Sequence, residues 1–140
     1  SGLAGKIRVE PIDKHISTAR IRDQWNKHNH KQRILLLETG HDRLFGTDAF
    51  FTDCPDFDPE LKVFLLENGI TLFGLDLPTV KYPLDNTLQA HLDLLGNGIL
   101  IVESLAGLSA LKEAAYFLAL PLAIAGLEAS PVRAIAFVED

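Results

Sequence analysis

The chain has no methionine and only one cysteine and one tryptophan in 140 residues. A lone cysteine, Cys54, excludes an intrachain disulfide and fits a reducing, cytoplasmic compartment. As a nucleophile it competes with the ordinary alternative of a loop thiol. Positive charge is in short supply: 13 Lys and Arg face 19 Asp and Glu, for a formal charge of −6. With no basic run, neither a nucleic-acid surface nor an anionic-membrane patch is expected. Long apolar runs are missing too. The longest, Ala114–Leu127, contains Pro121 and Gly126 and is too short to span a bilayer. Ser1–Gly5 leads directly into charged, strand-like sequence with no signal-peptide pattern. The Ser1-Gly2 start without methionine leaves open a processed terminus, a tag scar or a fragment boundary. No nucleophile elbow, phosphate-binding glycine loop or paired-cysteine zinc site is present.

What is there suits one domain over residues 1–140. Hydrophobic content of 47% and charged content of 23% are ordinary for a folded domain with a core. Alternation predicts a strand over Ile7–Ile12, and Ser17 or Thr18 can cap a helix running through Trp25 toward Asn29. Ile34–Leu37 reads as a buried strand, followed by a long loop from Thr39 to Glu60. Asp58-Pro59 has the form of an N-cap with proline at the first helical position, and that helix stops at Gly69. "TLFGLDL" is the next strand. Asn86 or Thr87 can cap a helix through Leu95, with Leu92, Leu94 and Leu95 packing inward and Gly96 and Gly98 ending it. Ile99–Val102 has the continuous apolar character of a strand buried on both faces. "LSALKEA" can add a helical turn. "AYFLALPLAI" and "VRAIAFVE" close the chain as two strands, the second with apolar residues on both faces. Strands alternating with helices predict an α/β domain, and the closing pair makes its sheet mixed.

The polar residues of interest lie at strand ends. Glu103 directly follows Ile99–Val102, where α/β sheets place ligands. His91 lies twelve residues before it, in the first turn or so of the preceding helix. Imidazole and carboxylate are both donors for zinc or manganese. The ordinary alternatives are a solvent-facing strand-end glutamate and a half-buried histidine bonded to a carbonyl. His41, with Asp42 and Asp53 in the same loop, is a pocket candidate. Asp76, ending "LFGLD", is another, its alternative being a loop cap. His28 and His30, two apart on a helix end beside Lys27 and Lys31, cannot chelate one ion there and read as a solvated end.

Four stretches, "ILLLETG" (34–40), "FFTDCPDFDPELKVFLLENGITLFGLDLPTV" (50–80), "AHLDLLGNGILIVESLAGLSAL" (90–111) and "LALPLAIAGLEASPVRAIAF" (118–137), together resemble the carboxyl-terminal part of the cyclase family of metal-dependent hydrolases, the family of bacterial kynurenine formamidase. The resemblance implies a mixed-sheet domain of the swivelling β/β/α type. It implies hydrolysis of N-formyl or cyclic amides at a one- or two-metal centre, with His91 and Glu103 as metal ligands. The family's amino-terminal metal motif, His-x-Gly-Thr-His-x-Asp-x-Pro, is absent here. Where the family commonly has an aromatic residue after "TG" stands His41, and in the loop after "GLD" stand Thr79 and Lys81 in place of a serine and an aspartate.

The expected function is therefore metal-dependent hydrolysis of an amide in a small-molecule substrate. The remaining ligands would come from a missing amino-terminal segment or a partner chain. The rival is an inactive binding or structural module that keeps the fold; a flavodoxin-like signalling domain ranks behind both. A chain lacking the family's amino-terminal strands should leave apolar surface open. It is expected to form a homo-oligomer or to associate with that segment.

Overall fold

The computed structural model describes residues 1–84 and 88–138. Eight strands and four helices follow one another as β1 (Gly2–Arg8), β2 (His15–Ile16), α1 (Thr18–Lys27), β3 (Ile34–Glu38), α2 (Ala49–Thr52), β4 (Asp56–Phe57), α3 (Leu61–Glu67), β5 (Leu72–Leu75), α4 (Gln89–Gly96), β6 (Leu100–Val102), β7 (Ala114–Pro121) and β8 (Val132–Phe137). Six strands form one sheet in the order β6-β5-β3-β1-β7-β8, and β2 and β4 pair separately. The first four of that order run parallel, while β7 and β8 are antiparallel. This is the mixed α/β architecture expected. Among the described residues no helix is long and apolar enough to cross a membrane.

The central strands β3 and β5 are almost wholly apolar because both of their faces are covered. On one face Ile7, Leu35, Leu37, Phe73 and Leu75 meet Ile21 and Trp25 of α1, Leu61, Phe64 and Leu65 of α3 and Leu94 of α4. Those helix positions recur three or four residues apart, which places them on one side of each helix. Each such side chain, fully buried, contributes about 1.5–3 kcal/mol. On the opposite face Ala4, Ile34, Leu36, Leu72 and Val102 pack with Leu105, Leu108 and Phe117. The Ser17 side chain caps α1 by accepting from Arg20 N.

Several expectations are corrected. The first strand ends at Arg8, because Asp13 and Lys14 take positive φ and turn Ile12 back to bridge with His15. The span after β3 is more than a loop: it holds a 3₁₀ turn, His41–Leu44, then α2 and β4. Asp58 does not cap α3, which begins at Leu61 after Glu60. Its carboxylate is taken by Thr18 N at 2.7 Å and His15 Nε2 at 3.0 Å. Ile99–Val102 is not buried on both faces: β6 is the sheet edge, and Leu100 is 61% exposed. In α4 only Ala90 and Leu94 pack inward, whereas Leu92 and Leu95 are exposed. The proposed caps Asn86 and Thr87 lie outside the described residues, as does Glu139. His28 and His30 are half-buried rather than solvated: His28 pairs with Glu113 at 2.9 Å, and His30 stacks on Trp25. The "LSALKEA" turn is a short 3₁₀ segment, Leu108–Ala110.

Two consequences are measurable. A Cβ on Gly5 would lie 2.8 Å from both the Trp25 ring and His30 Nδ1, two rigid groups. Gly5→Ala should cost about 1–3 kcal/mol by overpacking, read from denaturant unfolding. His15 is held between Asp56 (2.5 Å) and Asp58, joining β2 to β4 and to the start of α1. The bond to Asp56, foremost, raises its pKa above the ordinary value. A raised imidazole pKa gives stability that is complete below about 6.5, the unfolded value, and lost as pH rises through the folded value. His15→Gln should remove that pH dependence of the midpoint near neutrality while leaving the more acidic limb in place.

Candidate metal centre

All four parallel strands end on the same side of the sheet, at Arg8, Glu38, Leu75 and Val102. Ligand sites of α/β sheets form at this edge. The polar residues singled out in the sequence fall at three of these ends.

Asp76 follows β5 and is fully buried. Its carboxylate accepts from Thr39 N (3.0 and 2.9 Å), Thr39 Oγ1 (2.7 Å) and Gly40 N (2.8 Å). Burial pushes its pKa above the usual carboxylate value, against the pull of these bonds. Gly40 has φ +78, the left-handed conformation that lets its N–H turn toward Asp76. His41 is also buried, and its Nε2 meets the Phe50 carbonyl at 2.8 Å. That contact ties the 3₁₀ turn to α2. Both Asp76 oxygens and His41 Nε2 are thus occupied by neighbouring backbone and by Thr39.

His91 and Glu103 meet. α4 reverses into β6 through Asn97 and Gly98, and the helix lies on the α1/α3 side of the sheet with Ala90 and Leu94 inward. His91, next to Ala90, then faces the end of β6, and its Nε2 lies 2.9 Å from Glu103 Oε1. The same oxygen accepts from Val80 N at 3.0 Å. The side chains are 22% and 29% exposed, so the pair is sheltered but reachable. Among the described residues, buried His91 Nδ1 has no hydrogen-bond partner. A neutral imidazole donating through Nε2 therefore leaves its other nitrogen unsatisfied, which costs about 1–3 kcal/mol. Val80 N–H was invisible in the sequence, since a backbone amide carries no residue signature.

The donor set of one imidazole nitrogen and one carboxylate suits a zinc or manganese ion. Among the described residues no group of three His, Cys, Asp or Glu side chains stands ready to hold one. Asp42 reaches the other way, accepting from Gly107 N at 3.2 Å, and Asp53 pairs with Lys14 at 2.7 Å. Cys54 is buried, close to the Pro55 and Thr79 carbonyls, and desolvation raises its thiol pKa. That environment suits an inert thiol better than a nucleophile.

Comparison with known proteins points one way. The family model described as Putative cyclase matches residues 4–82. A kynurenine formamidase of Bacillus cereus (strain ATCC 10987 / NRS 248) is 35% identical over 105 residues, covering 74% of this chain and 48% of the relative. An uncharacterized protein of Methanocaldococcus jannaschii is 36% identical over 107 residues, covering 75% of this chain and 54% of its own. The chain thus spans about half the length of these relatives. Isatin hydrolase A from Labrenzia aggregata, solved with benzyl benzoate, superposes with a TM-score of 0.81 at 24% identity, over 96% of this chain and 60% of that one. A potential metal-dependent hydrolase with cyclase activity superposes with a TM-score of 0.78 at 18% identity, over 99% and 66%. By sequence match over more than half its length, and with the fold in agreement, the chain belongs to the cyclase family.

Proposed function

We propose that this chain is the carboxyl-terminal portion of a metal-assisted amide hydrolase, acting on an N-formyl or cyclic amide, and that His91 and Glu103 are its contribution to the metal centre. The observation that carries the reading is the 2.9 Å approach of His91 Nε2 to Glu103 Oε1 at the carboxyl edge of the sheet. The family membership supports it, as do the kynurenine formamidases among the relatives.

Each group has a definable task. Val80 N–H fixes one Glu103 oxygen, so the carboxylate is oriented before anything binds. His91 would offer an imidazole nitrogen to a cation beside the Glu103 carboxylate. Zinc or manganese, when bound, lowers the pKa of water and polarises a scissile carbonyl. Asp76 acts at a distance from the pair by holding the Thr39–Gly40 turn.

One observation favours a second reading, a binding module without chemistry. Catalytic zinc sites use about three protein ligands, and the described residues bring two together.

Calorimetric titration separates the readings. The chain should bind zinc or manganese weakly, and His91→Ala and Glu103→Gln should each abolish that binding. Tight stoichiometric binding would reveal further donors; binding unchanged in both variants would remove these residues from the centre. Hydrolysis of a formanilide by the chain alone should be slow, and any rate observed should vanish with chelator and in His91→Ala. A rate that survives both would place the chemistry elsewhere.

A further inference from the structure

Apolar packing holds α4 only loosely. Its eight residues bury Ala90 and Leu94, while Leu92 and Leu95 lie in solvent. A seam of one methyl group and one leucine seats a helix but resists rolling about its axis poorly. The 2.9 Å approach of His91 to Glu103 nevertheless requires that roll to be fixed. Successive helical residues turn by about 100°. His91 therefore stands about 80° to one side of the Ala90–Leu94 seam, and Asp93 about 80° to the other.

Asp93 is tied down on its side. Lys62 Nζ of α3 lies 3.3 Å from Asp93 Oδ2. The Tyr82 hydroxyl donates to the same oxygen at 3.5 Å. Gln89 Nε2, one turn back along α4, donates to Asp93 Oδ1 at 2.9 Å and so holds the carboxylate's rotamer. Tyr82 is buried, and its ring is fixed in the core. It follows Val80 by two residues, and Val80 N–H holds Glu103. One short segment, 80–82, thus reaches both flanks: the carboxylate through Val80 and α4 through Tyr82.

We infer that Asp93 is the positioning residue of the His91–Glu103 pair: through Lys62 and Tyr82 it fixes the rotation of α4 and so sets where the imidazole stands. Side chains reach roughly 6 Å from a helix axis, so a roll of about 10° displaces the ring by about 1 Å. A shift of that size takes a hydrogen bond out of range. That the fixed geometry serves a cation rests on the hydrolase reading.

Two readouts keep the two claims apart. Without metal, NMR should show a nuclear Overhauser contact between the His91 ring and the Val80 amide, since both meet the same Glu103 oxygen. Asp93→Ala and Lys62→Met should each weaken that contact, and Lys62→Arg should retain it, with unfolding still cooperative in all three. With manganese, the concentration that broadens the His91 ring should rise on the order of tenfold in Asp93→Ala and Lys62→Met, as for other groups that orient ligands. Lys62 is the decisive position. By charge alone, removing a cation tightens the binding of another cation; release of α4 weakens it. A ring contact unchanged in both variants would overturn the inference, and so would manganese binding unchanged or tighter in Lys62→Met. If the wild-type ring does not respond to manganese, the metal reading falls, and the metal-free contact alone decides whether Asp93 positions the pair. If Asp93→Ala does not fold, Lys62→Met carries both measurements.

Discussion

A buried carboxylate holds the edge on which the candidate site is built. Asp76 has no exposed surface, and its oxygens are filled by the Thr39 and Gly40 amides and the Thr39 hydroxyl. A charge removed from water without such partners would be strongly unfavourable. Because the partners belong to the end of β3 and Asp76 to the end of β5, meeting this one requirement locks two strand ends together. Ser104 N to Leu77 O and Leu105 N to Leu75 O carry the constraint on to the exit of β6, where Glu103 stands. The Lys6–Glu38 pair, 2.9 Å apart with Glu38 buried, does the same between β1 and β3.

Against that fixed edge, the His91–Glu103 pair is a local product. α4 runs toward the amino ends of the strands, and Gly98 turns the chain back into β6, so a histidine near the helix start lies beside a glutamate after the strand. The twelve-residue spacing is the length of that excursion. The pair was legible through the family resemblance together with this contiguity of helix stop, apolar strand and terminal carboxylate; the pattern alone left a solvent-facing glutamate and a carbonyl-bonded histidine open. The same contiguity made α1, with its Ser17 cap, and β3, with its unbroken apolar run, readable in advance.

What escaped the sequence depends on contacts between distant segments. His15 meets Asp56 and Asp58 across 41 and 43 residues, so Asp58, which has the form of a helix cap, serves a different helix from the one it precedes. β1 starts at Gly2 because "GLAG" is flanked by β3 and β7; its composition alone does not favour a strand. The apolar run of β6 suggested burial on both faces, but edge position left Leu100 in solvent. His41 sits where sequence suggested a pocket, yet its ring is bonded to the Phe50 carbonyl because α2 folds back over the 3₁₀ turn.

On the proposed reading a divalent cation is held at His91 and not at the chain's other histidines. Manganese titration followed by NMR of the five imidazoles tests it directly, because a bound paramagnetic ion broadens the nearest ring first. The His91 resonances should disappear at the lowest manganese ratio while those of His15, His28, His30 and His41 persist. Selective loss of His15, or of His28 and His30, with His91 unaffected would contradict it.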